Sequence, residues 1–188
     1  MMAETVNILV QPTPNPNALK FVLEKNVKTS GKASYSHVNQ TEENPLARAL
    51  FTIRGVDQLH FYDNVITVTK FGYEDWDELE SQIIDCLKDR LPNHNPDFVA
   101  PDPEGDRRKN LSPDLQAIED ILDRTVRPSL QGDGGDLKCL TYENDVLLIK
   151  YVGACGSCPS SLTGTLQAIT SILRDEFNPE IEVYSVPE

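Results

Sequence analysis

The sequence predicts an α+β protein of two small domains, each a short β-sheet packed with helices, joined by a linker rich in proline and charge. In some segments apolar residues alternate with polar ones, as in strands, and in others they recur at helical spacing. Residues 93–110 have neither pattern and contain three prolines, which is typical of a linker. The chain of 188 residues is long enough for two such domains. We expect the domains at 1–98 and 113–188, with the linker at 99–112.

The first domain should begin with two strands separated by a stiff turn. Residues 11–17 contain three prolines and two asparagines, which favour a turn over a β-ladder. Asp63-Asn64 lies between two apolar runs and predicts a hairpin. The expected elements are strands at 6–10, 19–23 and 35–38, a helix at 46–53 closed by Gly55, a hairpin over 56–70, and a helix at 79–91.

The second domain should begin with a helix, because Ser112 suits the N-cap and Pro113 suits the first helical position. A helix that crosses over between two strands then gives a small sheet with helices packed against it. Domains of this size have thin cores, so dimerisation or a bound metal would stabilise them. The expected elements are the helix from 113 to 126, a glycine turn at 131–136, strands at 137–142, 146–152 and 181–186, and a helix that starts at Pro159.

The composition argues against several classes of function. A formal net charge of −13 disfavours binding to a nucleic-acid backbone, and no apolar run approaches the length of a membrane span. The four cysteines are too few and too unevenly spread for a disulfide-stapled secreted domain. The N-terminal residues resemble neither a signal peptide nor a transit peptide, so we expect a cytoplasmic protein. A location in the mitochondrial matrix or a plastid would require that the chain is a processed form.

The residues with the clearest chemistry are Cys155 and Cys158, which are separated by two residues. An apolar strand precedes them, and Pro159 opens a helical pattern, so Cys158 is expected at the N-cap. Backbone N–H groups and the helix dipole lower the pKa of a thiol in that position. Between Tyr151 and Thr165 the only other ionisable side chain is that of Tyr151 itself. A metal is therefore the simplest partner for the two thiolates.

A pair of cysteines with this spacing suits a thiol–disulfide redox centre, a zinc site or an iron–sulfur cluster. A redox centre of the thioredoxin type normally follows a βαβ unit, whereas a hairpin precedes this pair. Zinc sites and clusters need four ligands, and residues 113–188 contain no histidine. The missing two ligands must come from Cys86 and Cys139, or from the same loop of a second copy in a two-fold dimer.

For the other candidate ligands we favour structural roles. Cys86 and Cys139 share apolar faces of a helix and a strand, so we expect both thiols to pack in the core. The two aspartates of the glycine turn at 132–136 lack the further oxygen ligands that a calcium loop needs. The three histidines are scattered over the first domain, and we expect each on the surface or in a turn: His37, His60 and His94.

Two sets of motifs resemble a known protein family. Residues 127–136 (RPSLQGDGGD) followed by residues 153–159 (GACGSCP) resemble the NifU C-terminal-type domain of iron–sulfur scaffold proteins. The first half is similar to the N-terminal domain of Nfu proteins. The matching segments are 13–21 (TPNPNALKF), 45–56 (PLARALFTIRGV) and 65–70 (VITVTK).

The resemblance implies a non-enzymatic carrier that holds a [4Fe-4S] cluster and passes it to apo iron–sulfur client proteins. It implies that Cys155 and Cys158 of two protomers bridge the cluster in a homodimer, and that a donor scaffold supplies it. The family's ligand positions match these two cysteines only, and its N-terminal domain implies partner contacts. The alternatives are a thiol–disulfide oxidoreductase that uses the same cysteines and a zinc-bridged interaction protein.

Overall fold

The computed structural model describes residues 6–100, 107–153 and 159–186, with side chains for all of them except 159–162. The chain divides into two compact units, Met1–Pro101 and Asp102–Glu188. Each unit combines one β-sheet with helices, which confirms the predicted α+β class. The units divide inside the predicted linker, and the finer limits of 1–98 and 113–188 stay a prediction.

The first unit is built on a five-stranded antiparallel sheet with the order β1-β2-β5-β4-β3. The helices pack against this sheet, so that Leu50 and Ile83 share one core with Phe21 and Phe61. The elements are β1 (Ile8–Pro12), β2 (Ala18–Leu23), β3 (Lys28–Tyr35), α1 (Pro45–Phe51), β4 (Val56–Asp63), β5 (Val65–Lys70) and α2 (Trp76–Arg90), with short 3₁₀ turns at Val38–Gln40 and Leu91–Asn93.

Two edge strands differ from the prediction. β1 continues to Pro12, which lies opposite Leu19, although we expected the strand to stop at residue 10. A proline that lacks an N–H is tolerated there because β1 is an edge strand. β3 occupies Lys28–Tyr35 rather than 35–38, and its polar character reflects its place at the other edge, where only Ala33 and Tyr35 are buried.

The hairpin around Asp63-Asn64 is confirmed. β4 and β5 pair in antiparallel register on either side of it, and Asp63 adopts a φ of 51°, in the left-handed region that such turns require. The Asn64 side chain also donates to the Leu23 carbonyl at 2.7 Å, which attaches the turn to β2.

The second unit contains a three-stranded sheet with the order β6-β7-β8, antiparallel between β6 and β7 and parallel between β7 and β8. The predicted order of helix, strand, strand, helix and strand is confirmed, with one additional short helix between the first helix and the predicted glycine turn. The elements are α3 (Pro113–Thr125), α4 (Arg127–Gly132), β6 (Gly135–Glu143), β7 (Val146–Gly153), α5 (Pro159–Glu176) and β8 (Glu182–Ser185).

The start of α3 is as predicted, since the Ser112 hydroxyl accepts a hydrogen bond from the Leu115 N–H at 3.3 Å. The helix buries its apolar stripe in a core that includes Leu147 and Ile149 of β7 and Ile169 of α5. Because β7 and β8 are parallel, α5 has to carry the chain back across the sheet between them. This crossover puts the start of α5 near the end of β7.

Candidate functional site

The candidate site is the connection between β7 and α5. β7 ends at Gly153 and α5 begins at Pro159, so the connecting residues 154–158 include both predicted thiolate ligands. Cys155 and Cys158 lie outside the described residues, and their role as ligands stays a prediction. The structure does describe Gly153, which directly precedes this connection, and the turn that Gly153 contacts.

Two glycine segments meet at the base of the connection. Gly153 is paired with Gly135 in the β6–β7 ladder and has a φ of +68°. A Cβ atom on Gly153 would lie 2.7 Å from the Gly134 carbonyl oxygen and 3.3 Å from the Gly135 Cα. Only glycine fits such an approach of two backbones. The turn before β6 therefore packs directly against Gly153, the last residue before the cysteine segment.

A buried ion-pair network holds that turn in place. The Arg127 guanidinium donates to Asp136 Oδ1 from Nε at 3.1 Å and to the Leu137 carbonyl from Nη2 at 3.1 Å. It also pairs with Glu119 and Asp123 on α3. Arg127 and Asp136 are the first and last residues of the 127–136 motif, so their pairing closes the motif into a loop. The sequence alone does not predict this network, although a charged residue at each end of the 127–136 motif is a visible signal.

Two arginines from the predicted linker extend the same network. Arg107 Nη2 lies 2.9 Å from Glu119 Oε1, and Arg108 Nη1 lies 2.7 Å from Asp123 Oδ2. Burial opposes ionisation of Asp123, but hydrogen bonds from Arg108 and Arg127 outweigh it and lower the pKa of Asp123 to about 2. This carboxylate is therefore charged throughout the physiological range.

Cys139 lies in the core of the second unit and is fully buried, as predicted. Burial, reinforced by the charge of Glu119, raises the pKa of its thiol to about 12, so the sulfur is protonated at neutral pH. Cys86 is half-buried against the core of the first unit, and burial raises its pKa as well. Protonated thiols are poor metal ligands, since metals bind the thiolate.

The histidines of the first unit are only partly as predicted. His60 is 3% exposed in β4, with Nδ1 2.7 Å from the Ser34 hydroxyl, so the expectation of a surface or turn residue is wrong. β4 lies between β5 and β3, and this part of it is covered on both faces, which alternation in the sequence does not reveal. Burial lowers the pKa of His60 to about 3. His94 is half-buried, and its Nε2 lies 2.8 Å from the Val27 carbonyl oxygen.

No group of three or more histidine, cysteine, aspartate or glutamate side chains is arranged to hold a metal ion within residues 6–100, 107–153 and 163–186. In the described part of the chain, none of the helices has the length and apolar character needed to cross a bilayer.

Comparison with known proteins gives matches for both halves of the chain. Residues 8–94 match the family model described as "Scaffold protein Nfu/NifU N terminal", and residues 118–184 match the "NifU-like domain". The human protein named "NFU1 iron-sulfur cluster scaffold homolog, mitochondrial" is 34% identical over 93% of this chain and 69% of its own length. The Arabidopsis thaliana "NifU-like protein 4, mitochondrial" is 30% identical over 90% of this chain and 62% of its own length.

Among solved structures, the NMR structure of a NifU-like protein from Saccharomyces cerevisiae is 27% identical, with a TM-score of 0.45. The match covers 50% of this chain and 84% of the yeast chain.

The cytoplasmic location expected from the sequence is wrong, because both curated relatives are named mitochondrial. The expectation rested on the N-terminal residues, which resemble neither a signal peptide nor a transit peptide. Composition of folded domains does not report the compartment, since targeting segments are separate from the fold and are removed after import.

Proposed function

This chain belongs to the Nfu/NifU family of scaffold proteins, and on that premise we propose that it carries a [4Fe-4S] cluster as cargo between donor and client proteins. In this proposal the cluster is held between two copies of the chain, through Cys155 and Cys158 of each copy. The protein acts as a carrier rather than as an enzyme, and it works in mitochondria. Its partners are a scaffold that donates the cluster and apo iron–sulfur proteins that receive it.

The observation that carries the proposal is the ligand count. A cluster of this kind takes four thiolates, and the segment between β7 and α5 contains two cysteines. Cys139 is a poor candidate for a further ligand, because it is fully buried and its pKa is about 12. Cys86 belongs to the first unit, where it packs against the core. A second copy of the same segment is the simplest source of the missing pair.

The placement of the two cysteines suits both binding and release. Pro159 opens α5, so the free N–H groups of the first helical turn and the positive end of the helix dipole favour negative sulfur atoms there. A cluster shared between two copies has only two bonds to each of them. A client that offers its own thiolates can replace them pair by pair, so that Fe–S bonds form and break in equal number without a change in oxidation state.

Cluster content and oligomeric state together test the proposal. We expect protein reconstituted without oxygen to contain about four iron and four sulfide ions per two chains. Sedimentation velocity should show a dimer only when the cluster is present. Cys155→Ala and Cys158→Ala should each abolish binding, and Cys139→Ala serves as the matched control that retains it. A monomer with a complete four-iron cluster would refute the shared site, and tightly bound zinc in place of iron would favour a zinc-bridged interaction protein.

A transfer assay distinguishes a carrier from a thiol–disulfide oxidoreductase. The reconstituted protein should activate an apo iron–sulfur enzyme in proportion to the cluster added, because each dimer delivers its cargo once. The metal-free protein should show little catalytic reduction of a disulfide substrate. Many turnovers of disulfide reduction without any cluster transfer would assign the cysteines to redox chemistry instead.

A further inference from the structure

A pair of stacked aromatic rings lies on the surface of the first unit, far in sequence from the cysteines. Phe71 and Tyr73 belong to the loop between β5 and α2, and their side chains are 40% and 79% exposed. Their ring centroids are 5.8 Å apart and their planes differ by 9°. Single exposed apolar residues are common, but these two rings are stacked on each other and form one contiguous aromatic patch.

Contacts with the proline turn at residues 11–17 hold the loop that carries these rings. The Lys70 N–H donates to the Asn17 carbonyl at 2.8 Å, and the Lys70 ammonium donates to the Asn17 side-chain oxygen at 3.2 Å. The same ammonium lies 5.7 Å from the centroid of the Trp76 ring, and the Trp76 indole donates to the Pro16 carbonyl at 3.0 Å. The proline turn thus anchors both ends of the loop, which lowers the entropy lost when a partner binds.

The residues that follow the rings along the chain are acidic. Glu74 follows Tyr73 directly, and Asp77 and Glu78 form the first turn of α2. Arg54 pairs with this group: its Nε lies 3.9 Å from Glu74 Oε1, and its side chain is almost fully exposed. A pair this long, with the Arg54 side chain in solvent, is weak, so an incoming cation competes with it at little cost. The faces of phenol and phenyl rings attract cations too.

We propose that Phe71, Tyr73, Glu74, Asp77 and Glu78 form a docking surface for a basic segment of a partner protein, with lysine or arginine over the rings and an apolar side chain beside them. We call it the aromatic–acidic surface. The proposal goes beyond cluster transport, because this surface needs neither cysteine nor cluster. In this proposal the first unit recognises a partner protein through charge and through contacts with the aromatic rings.

Binding of designed peptides to the full-length apo-protein tests this proposal. The probe is a labelled peptide of repeated Gly-Lys-Arg-Leu units, and its binding is measured by fluorescence anisotropy. A peptide with glutamate in place of both basic residues is the charge control. Trp76 is the only tryptophan of the chain and directly follows the loop, so its emission gives a local second signal. We expect the basic peptide alone to bind, with an affinity that falls as salt is raised.

Variants then locate the binding. Tyr73→Ala should weaken binding by about three- to thirtyfold, which is the range of a cation–π contact, whereas Tyr73→Phe should restore it. The matched control is Tyr184→Ala, because Tyr184 is an exposed tyrosine of the second unit and should not affect binding. The proposal is overturned if Tyr73→Ala and Tyr184→Ala bind the peptide equally, if the acidic peptide binds as well, or if no binding occurs. It is also overturned if Tyr73→Ala abolishes self-association of the apo-protein, since the occupant would then be a second copy.

Discussion

The contact between Gly153 and the turn before β6 makes a quantitative prediction for Gly153→Ala. At a φ of +68° an alanine is in the left-handed region, which costs about 1–2 kcal/mol relative to glycine. Its Cβ would also lie 2.7 Å from the Gly134 carbonyl oxygen, and relief of that overlap requires a backbone shift that costs about 1–3 kcal/mol. We expect the free energy of unfolding of the second unit to fall by about 2–5 kcal/mol.

Gly164→Ala is the matched control for this substitution. Gly164 lies inside α5, and a Cβ there meets no atom within 4 Å. Alanine should therefore stabilise the helix by about 0.5–1 kcal/mol. Trp76 belongs to the first unit, so its fluorescence does not follow this change. Amide hydrogen exchange resolved to β6 and β7, with and without urea, measures the unfolding of the second unit.

The result that would refute this reasoning is equal protection of β6 and β7 in the Gly153→Ala variant and the wild-type protein. It would mean that the two glycine segments do not touch and that the turn does not support the cysteine segment. If Gly164→Ala destabilised the protein as much as Gly153→Ala, the loss would arise from α5 and not from the close approach.

Three further predictions follow from buried groups. Arg127→Met should lower the free energy of unfolding by about 3–5 kcal/mol in a urea titration, because buried Asp136 would lose its ion pair and buried Glu119 would keep only its pairs with Arg107 and Arg108. The His60 ring should not titrate in NMR spectra between about pH 8 and pH 5, because burial lowers its pKa to about 3. Stability should therefore fall as the pH decreases below about 6.5, where the unfolded chain binds a proton that folded His60 does not. The Cys139→Ala variant should bind as much iron and sulfide on reconstitution as the wild-type protein. Its free energy of unfolding should fall by about 1–3 kcal/mol.

Each of these predictions has an outcome that contradicts it. An Arg127→Met variant as stable as the wild type would show that the network contributes nothing net. Titration of His60 near neutral pH would show that water reaches the ring. Loss of the cluster from Cys139→Ala, in a variant that remains folded by circular dichroism, would mean that one chain supplies more than two ligands.

The elements predicted correctly from the sequence are those decided by neighbouring residues. The hairpin depends on Asp63-Asn64 between two apolar runs, and α3 depends on Ser112 and Pro113 before an apolar stripe. Such signals act over a few residues and need no knowledge of the tertiary structure.

The elements that were missed depend on residues distant in the sequence. β3 is polar because it is an edge strand, and His60 is buried because both faces of its strand are covered. Neither property can be read from the local pattern, since the position of a strand in a sheet is decided by its partners.

The candidate site shows the same division. The two cysteines are evident from their spacing, because ligand chemistry requires particular residue types. The close approach of Gly153 to Gly134 and the pairing of Arg127 with Asp136 join segments that only folding brings together. The sequence therefore predicts the two ligands, but it does not predict the contacts that hold the residue before their segment in place.

The arginines of the ion-pair network have a consequence for how copies of this chain behave at high concentration. Within the described sheet β6 pairs only with β7, so its other side presents backbone carbonyls to any approaching strand. Arg107 donates to the Cys139 carbonyl and Arg127 to the Leu137 carbonyl. Edges occupied in this way cannot template the strand-to-strand addition that begins aggregation. The β6 edge of this sheet is therefore protected from pairing with a strand of another chain.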